Sequence, residues 1–186
     1  MIFVIGGARS GKSSYAEKRV KEMQTSSNDV IYIATAIPTD EDMENRIKRH
    51  REDRSKEWHT LEQYKHFHKL EGNEKFNQAE ILLVDCITIM ITNLMFDFYT
   101  DFDSITNDQI VHLENEIEKE IIQLITICHR NDKKLVIVSN EVGYGLVPSY
   151  RLGAIFRDIA GRMNQLIASK ATEVVLVTAG IPLRIK

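Results

Sequence analysis

The apolar run Met1-Ile2-Phe3-Val4-Ile5 passes without a break into Gly6-Gly7-Ala8-Arg9-Ser10-Gly11-Lys12-Ser13. The pattern is G-x-x-x-x-G-K-S, set directly after β-type residues and directly before Ser14-Tyr15-Ala16-Glu17-Lys18-Arg19-Val20, a stretch with helix spacing and good helix formers. Strand, glycine-rich loop and helix in this order build a phosphate cradle. The glycines let backbone N–H groups converge on phosphate oxygens, and the helix start adds its own unpaired donors. Lys12 is placed to reach the β and γ phosphates, and Ser13 to offer a hydroxyl to Mg2+. Arg9 adds a positive charge inside the loop, toward phosphate or toward solvent. A chance glycine-rich turn would not bring both flanks with it.

Apolar strand-type segments recur after this loop, separated by stretches of helix length. Val30-Ile31-Tyr32-Ile33-Ala34-Thr35-Ala36 reads as a second buried strand, Trp58-His59-Thr60-Leu61-Glu62 as a short third one, and Ile81-Leu82-Leu83-Val84-Asp85 as a central strand that is apolar on both faces until its last residue. Residues 134–141 and 173–177 are two more core strands, and 180–186 adds an edge strand after a turn. Helices are expected over 39–54, opened by a capping-box-like Thr39 and Asp42, then within the segment leading to Leu70, over 86–95, over 110–130 and over 151–170. Residues 96–108, aromatic and acidic without a sustained period, read as a surface excursion. The expected fold class is α/β, a mainly parallel sheet with helices on both faces and ligands at the carboxyl ends of its strands. The phosphate loop, Asp85 and Glu141 all fall at that edge.

A chain of 186 residues can bury a full core as a single domain, 1–186, without disulfide or metal staples. With 24 Lys and Arg against 27 Asp and Glu the formal charge is −3, so the overall field does not favour a nucleic acid partner. Cys86 and Cys128 lie in apolar surroundings without the paired spacing of a structural zinc site, which fits buried reduced thiols. No run reaches transmembrane length and the first residues read as a core strand rather than a secretory signal. No stable membrane insertion is expected, and the expected location is cytoplasmic.

Four positions carry further chemistry. Asp85, ending a central strand, either holds Mg2+ opposite Ser13 or caps the following helix. Thr88, three residues on, either helps cap that helix or contacts phosphate. Glu141, in Asn140-Glu141-Val142-Gly143-Tyr144-Gly145-Leu146-Val147-Pro148, either orients a hydroxyl or water near the γ-phosphate, joins the magnesium shell, or is incidental to an exposed turn. His50 stands in Arg46-Ile47-Lys48-Arg49-His50-Arg51-Glu52-Asp53-Arg54, where helical spacing puts Arg46 and Arg54 one turn either side of the imidazole. Such a face suits a triphosphate and a nucleophile aimed at its α-phosphorus; on residues alone it equally suits a solvated basic helix. His66 and His68 could pair on a metal, but no third ligand accompanies them.

The ordered set of segments is far more specific than its phosphate loop. It comprises residues 6–13, Tyr32-Ile33-Ala34-Thr35, Asp42-Met43 through Arg46-Ile47 to His50 and Arg54, Trp58 with Thr60 and Glu62, Asp85-Cys86-Ile87-Thr88 and Thr92-Asn93-Leu94. It continues with 140–148, 156–165 and Gly180-Ile181-Pro182-Leu183. In this the chain resembles, nearly end to end, the bifunctional adenosylcobinamide kinase and adenosylcobinamide-phosphate guanylyltransferase family of cobalamin biosynthesis. The resemblance implies a P-loop nucleoside triphosphate hydrolase fold of the RecA-like branch and a homotrimer. It implies ATP or GTP as phosphoryl donor, GTP as GMP donor, Mg2+, and adenosylcobinamide and adenosylcobinamide phosphate as partners.

The resemblance makes His50 the guanylylated nucleophile; the residues themselves make Lys12 and Glu141 the other expected catalytic groups and put Ser13 and Asp85 on the metal. Gly6, Gly7, Ala8, Arg9, Ser10, Gly11, Lys12, Ser13, Arg46, Arg54, Glu62 and Asp85 are expected against nucleotide. Some relatives carry a second histidine just before the nucleophile, whereas this chain has Arg49, which cannot replace it as covalent acceptor. Three rival readings are separable by experiment: a kinase that forms no histidine adduct, a RecA-like ATPase stimulated by DNA, and a scaffold that binds GTP without turnover.

Overall fold

The computed structural model describes residues 1–26, 29–37, 55 and 57–186. The helix expected over 39–54 lies outside the described residues, as do His50, Arg46 and Arg54.

Among the described residues the strands are β1 (Ile2–Gly6), β2 (Val30–Ala34), β3 (His59–Glu62), β4 (Ile81–Asp85), β5 (Lys134–Asn140), β6 (Glu173–Thr178) and β7 (Ile181–Arg184). They form one sheet in the order β3-β2-β4-β5-β1-β6-β7. Every neighbouring pair is parallel except β6 with β7, which is antiparallel. β1 and β2 are buried along their whole length and β4 up to Asp85, as parallel strands covered on both faces must be.

Among the described residues the α-helices are α1 (Lys12–Met23), α2 (Glu74–Gln78), α3 (Ile87–Phe98), α4 (Asn107–Arg130) and α5 (Arg151–Lys170). Alternating strand residues feed two cores. Phe3 and Ile5 join Ile87, Leu113, Ile121, Ile159 and Met163 of the long helices, whereas Val4, Tyr32 and Leu83 pack with Ala16 and Val20 of α1 and with Trp58. The mixed α/β architecture with a largely parallel sheet flanked by helices therefore holds.

Three local departures have plain causes. Before Leu70 the chain makes a 3-10 turn over Phe67–Gly72 rather than an α-helix. Helix α2 then starts where the Asn73 side chain accepts from Lys75 N at 2.9 Å and Phe76 N at 3.2 Å. Residues 96–108 are not simply an excursion: α3 runs on to Phe98, and Phe102 and Ile105 are buried in the core. Helix α4 begins earlier than its apolar repeat suggests because Thr106 and Gln109 form a capping box, worth about 1 kcal/mol.

Candidate functional site: the carboxyl edge of the sheet

Strand register sets the site. Glu62 of β3 is level with Ala34 of β2, Ala34 with Asp85 of β4, and Asp85 with Val138 of β5; two residues further along β5, Asn140 is level with Gly6 of β1. Glu62, Asp85, Asn140, Glu141 and the glycine-rich loop after β1 thus share one edge. At about 4.8 Å per strand, Asp85 stands roughly 10 Å from β1, and Glu62 about 19 Å away.

The loop between β1 and α1 is held by backbone contacts. Ser10 N donates to Gly7 O at 3.3 Å, and Gly180 N, in the β6–β7 turn, donates to Ser10 O at 2.8 Å. Gly11 caps α1 at φ 91°, a left-handed conformation that glycine adopts without strain. Gly6 has no room for a side chain, since a Cβ would lie 2.3 Å from Val177 O and 2.6 Å from Ser10 Oγ. Gly6→Ala is therefore expected to lower unfolding free energy by about 2–3 kcal/mol, because the clash is with backbone. Gly7→Ala, with open space around its Cβ, should stay within about 0.5 kcal/mol. Urea unfolding of the two variants checks this, and equal losses would contradict it.

Lys12 opens α1 and is buried, its Nζ donating to Gly7 O at 3.1 Å. Burial pushes its pKa below the ordinary lysine value, with Cys86 and Asp85 acting in the opposite sense. Burial also raises the Cys86 thiol to about 11, so it is uncharged at neutral pH and the negative charge near Lys12 is that of Asp85. Ser13 follows Lys12 in the first turn of α1 and is half-buried. Ala8 and Arg9 lie in the turn ahead of Ser10, with Arg9 exposed at φ 54°.

Asp85 does not cap α3: that place belongs to Cys86, and no side chain caps the helix there. Instead Asp85 Oδ2 accepts from Tyr32 Oη at 2.8 Å. The main chain beside it is clamped from β2. Thr35 N donates to Asp85 O at 3.3 Å, Thr35 Oγ1 donates to Cys86 O at 2.8 Å, and Cys86 N donates to Thr35 Oγ1 at 2.9 Å. Asn93 of α3 holds the clamp in turn, its Nδ2 donating to Thr35 O at 2.7 Å. Thr88 is buried and neither caps the helix nor stands open to a ligand; Asn140 Nδ2 donates to its Oγ1 at 2.5 Å.

Glu141 N donates to Gly6 O at 3.0 Å, which ties it to the root of the glycine-rich loop, while Oε1 accepts from Gly143 N at 2.6 Å. The carboxylate is thus folded over its own glycine turn. His66 and His68 meet ring to ring at 5.8 Å, edge to face, and no three His, Cys, Asp or Glu among the described residues gather as a metal cage.

Residue types alone assigned no role to Tyr32, Thr35 or Asn93, yet these set the position of Asp85. Their signal was a polar atom in an otherwise apolar element.

Residues 2–185 match the family model described as cobinamide kinase / cobinamide phosphate guanyltransferase. The chain belongs to this family. Kinase and guanylyltransferase activity in one enzyme of cobalamin biosynthesis follow from that membership. Among relatives, the bifunctional adenosylcobalamin biosynthesis protein CobU of Escherichia coli (strain K12) is 45% identical over 186 residues, covering 100% of this chain and 99% of the relative. The protein of the same name from Salmonella typhimurium is 44% identical over 186 residues with the same coverage. The CobP protein of Pseudomonas aeruginosa is 35% identical over 183 residues, covering 98% of this chain and 95% of its own length.

Proposed function

We propose that this chain performs both family reactions at the carboxyl edge of its sheet. In the first, the aminopropanol hydroxyl of adenosylcobinamide takes the γ-phosphoryl group of ATP or GTP, giving adenosylcobinamide phosphate and a nucleoside diphosphate. In the second, the His50 imidazole attacks the α-phosphorus of GTP and releases pyrophosphate. The GMP then passes from nitrogen to a phosphate oxygen of adenosylcobinamide phosphate, giving adenosylcobinamide-GDP and freeing the histidine.

The observation that carries the kinase half is a buried ammonium, Lys12, held against the glycine loop by Gly7 O at the same sheet edge where Asp85 ends β4. The loop N–H groups and Lys12 hold the phosphates and offset charge that spreads over the transferred group. Bound phosphate would return to Lys12 the charge stabilisation that burial removes. Glu141, tied to Gly6, is the candidate to orient the substrate hydroxyl once its contact with Gly143 opens.

The residues present fit Mg2+. Asp85 Oδ1 has no hydrogen-bond partner among the described residues, Ser13 brings a hydroxyl, and both are the hard oxygen donors that magnesium takes while keeping several waters. Bound there with a nucleotide, Mg2+ would neutralise phosphate charge.

For the second step, Arg46, Arg54 and Glu62 are proposed to hold GTP beside His50, with the triphosphate seated differently from a kinase donor. Protection of 40–54 from exchange and proteolysis should rise with Mg-GTP.

The wider reading takes 1–186 as one domain of the RecA-like P-loop class, supported by the strand–loop–helix start and the nearly end-to-end family match. It also takes a homotrimer in the cytoplasm. No described helix is long and apolar enough to cross a membrane, and Ile181, Leu183 and Ile185 leave an apolar strip exposed along the β7 edge for a second copy. The direct test is product analysis. Purified enzyme given adenosylcobinamide and ATP should form adenosylcobinamide phosphate, and GTP should then yield the GDP derivative with one pyrophosphate per product. DNA-stimulated hydrolysis without corrinoid, or GTP binding without turnover, would contradict it.

A further inference from the structure

Tyr32 is fully buried in the core under α1, and its hydroxyl hydrogen bond to Asp85 Oδ2 at 2.8 Å joins that core to the site. A phenol placed so deep needs an acceptor, and an apolar strand residue would have filled the same volume. The main chain at 85–86 is already fixed by the three contacts to Thr35. What remains free in Asp85 is the rotation of its carboxylate, and the phenol removes that freedom by engaging one oxygen. The geometry points to Tyr32 as a positioning residue of the kinase step: it pins Oδ2 so that Oδ1 alone is offered to the metal-bound nucleotide.

The inference rests on the proposed metal role of Asp85 and adds a cause for its orientation. A carboxylate held by one oxygen binds a cation through the other, without the rotational entropy that a free side chain loses on binding. Tyr32→Phe keeps the ring and the packing and removes only the O–H. Groups that orient a metal ligand typically contribute 10–100-fold in metal affinity or activity.

The test is Mn2+ titration, followed by electron paramagnetic resonance, of the full chain saturated with ADP. Tyr32→Phe should weaken protein-bound Mn2+ about tenfold, leave metal-free ADP binding and the thermal midpoint unchanged, and lower kinase kcat without raising KM for adenosylcobinamide. In an Asp85→Asn background the same change should add nothing, since the two act as a unit. If Asp85→Asn weakens Mn2+ and Tyr32→Phe does not, or if the two losses add, the inference about Tyr32 is overturned while the metal role of Asp85 stands. If Asp85→Asn leaves Mn2+ binding intact, both fall together.

Discussion

His50→Ala is expected to abolish the proposed covalent intermediate and to lower guanylyl transfer by roughly 10^4-fold or more, while phosphorylation of adenosylcobinamide should change little. Losing the nucleophile of a covalent route removes the route itself, which is why such variants lose nearly all chemistry. Phosphoryl transfer should need no imidazole, since on this proposal the loop and Lys12 hold the kinase donor. Labelled GTP separates the cases: α-label stays with the native protein as an acid-labile, base-stable adduct and is absent from His50→Ala. Retention of the label by that variant would move the nucleophile elsewhere. A pH dependence accompanies it. Under the proposed mechanism only neutral imidazole attacks, so adduct formation is expected to fall on acidification.

Lys12→Ala is expected to lower kinase kcat by about 10^2–10^3-fold, the usual loss when one positioned charge at a transferring phosphate is removed. Its effect on stability should be small or favourable. In the free protein the ammonium is desolvated and donates to Gly7 O at 3.1 Å, so deleting it relieves burial of a charge. Loss of activity with an unchanged or raised thermal midpoint is the signature. Lys12→Arg should not rescue, because a planar guanidinium cannot take the place of a compact ammonium inside the loop. Activity within threefold of the parent in Lys12→Arg, or unfolding of Lys12→Ala, would contradict this account.

Much of this was legible in the chain because its signals are local. The glycine-rich loop is read from its strand and helix flanks, and β1, β2, β4, β5 and β6 announce themselves as apolar runs, unlike the half-exposed edge strand β3. Even α3, rich in β-branched residues, shows helical spacing at Ile87, Met90, Ile91, Leu94 and Met95, all of them buried. The clamp on Asp85 is not local. Tyr32 and Thr35 lie about fifty residues away and become its neighbours only through the pairing of β2 with β4, a register that no short window contains. The start of α4 was missed for a smaller reason: its capping box uses Thr106 and Gln109, polar residues that an apolar repeat ignores. The turn of Glu141 onto Gly143 N is a side-chain contact that residue types do not specify.

The most direct measurement is the intact mass of the folded enzyme after incubation with Mg2+ and GTP, without corrinoid, followed by peptide mapping. One GMP residue per chain, located on His50 and discharged by adenosylcobinamide phosphate, is the predicted result. An unchanged mass in protein shown to bind GTP, or a GMP residue carried elsewhere, contradicts the two-reaction account.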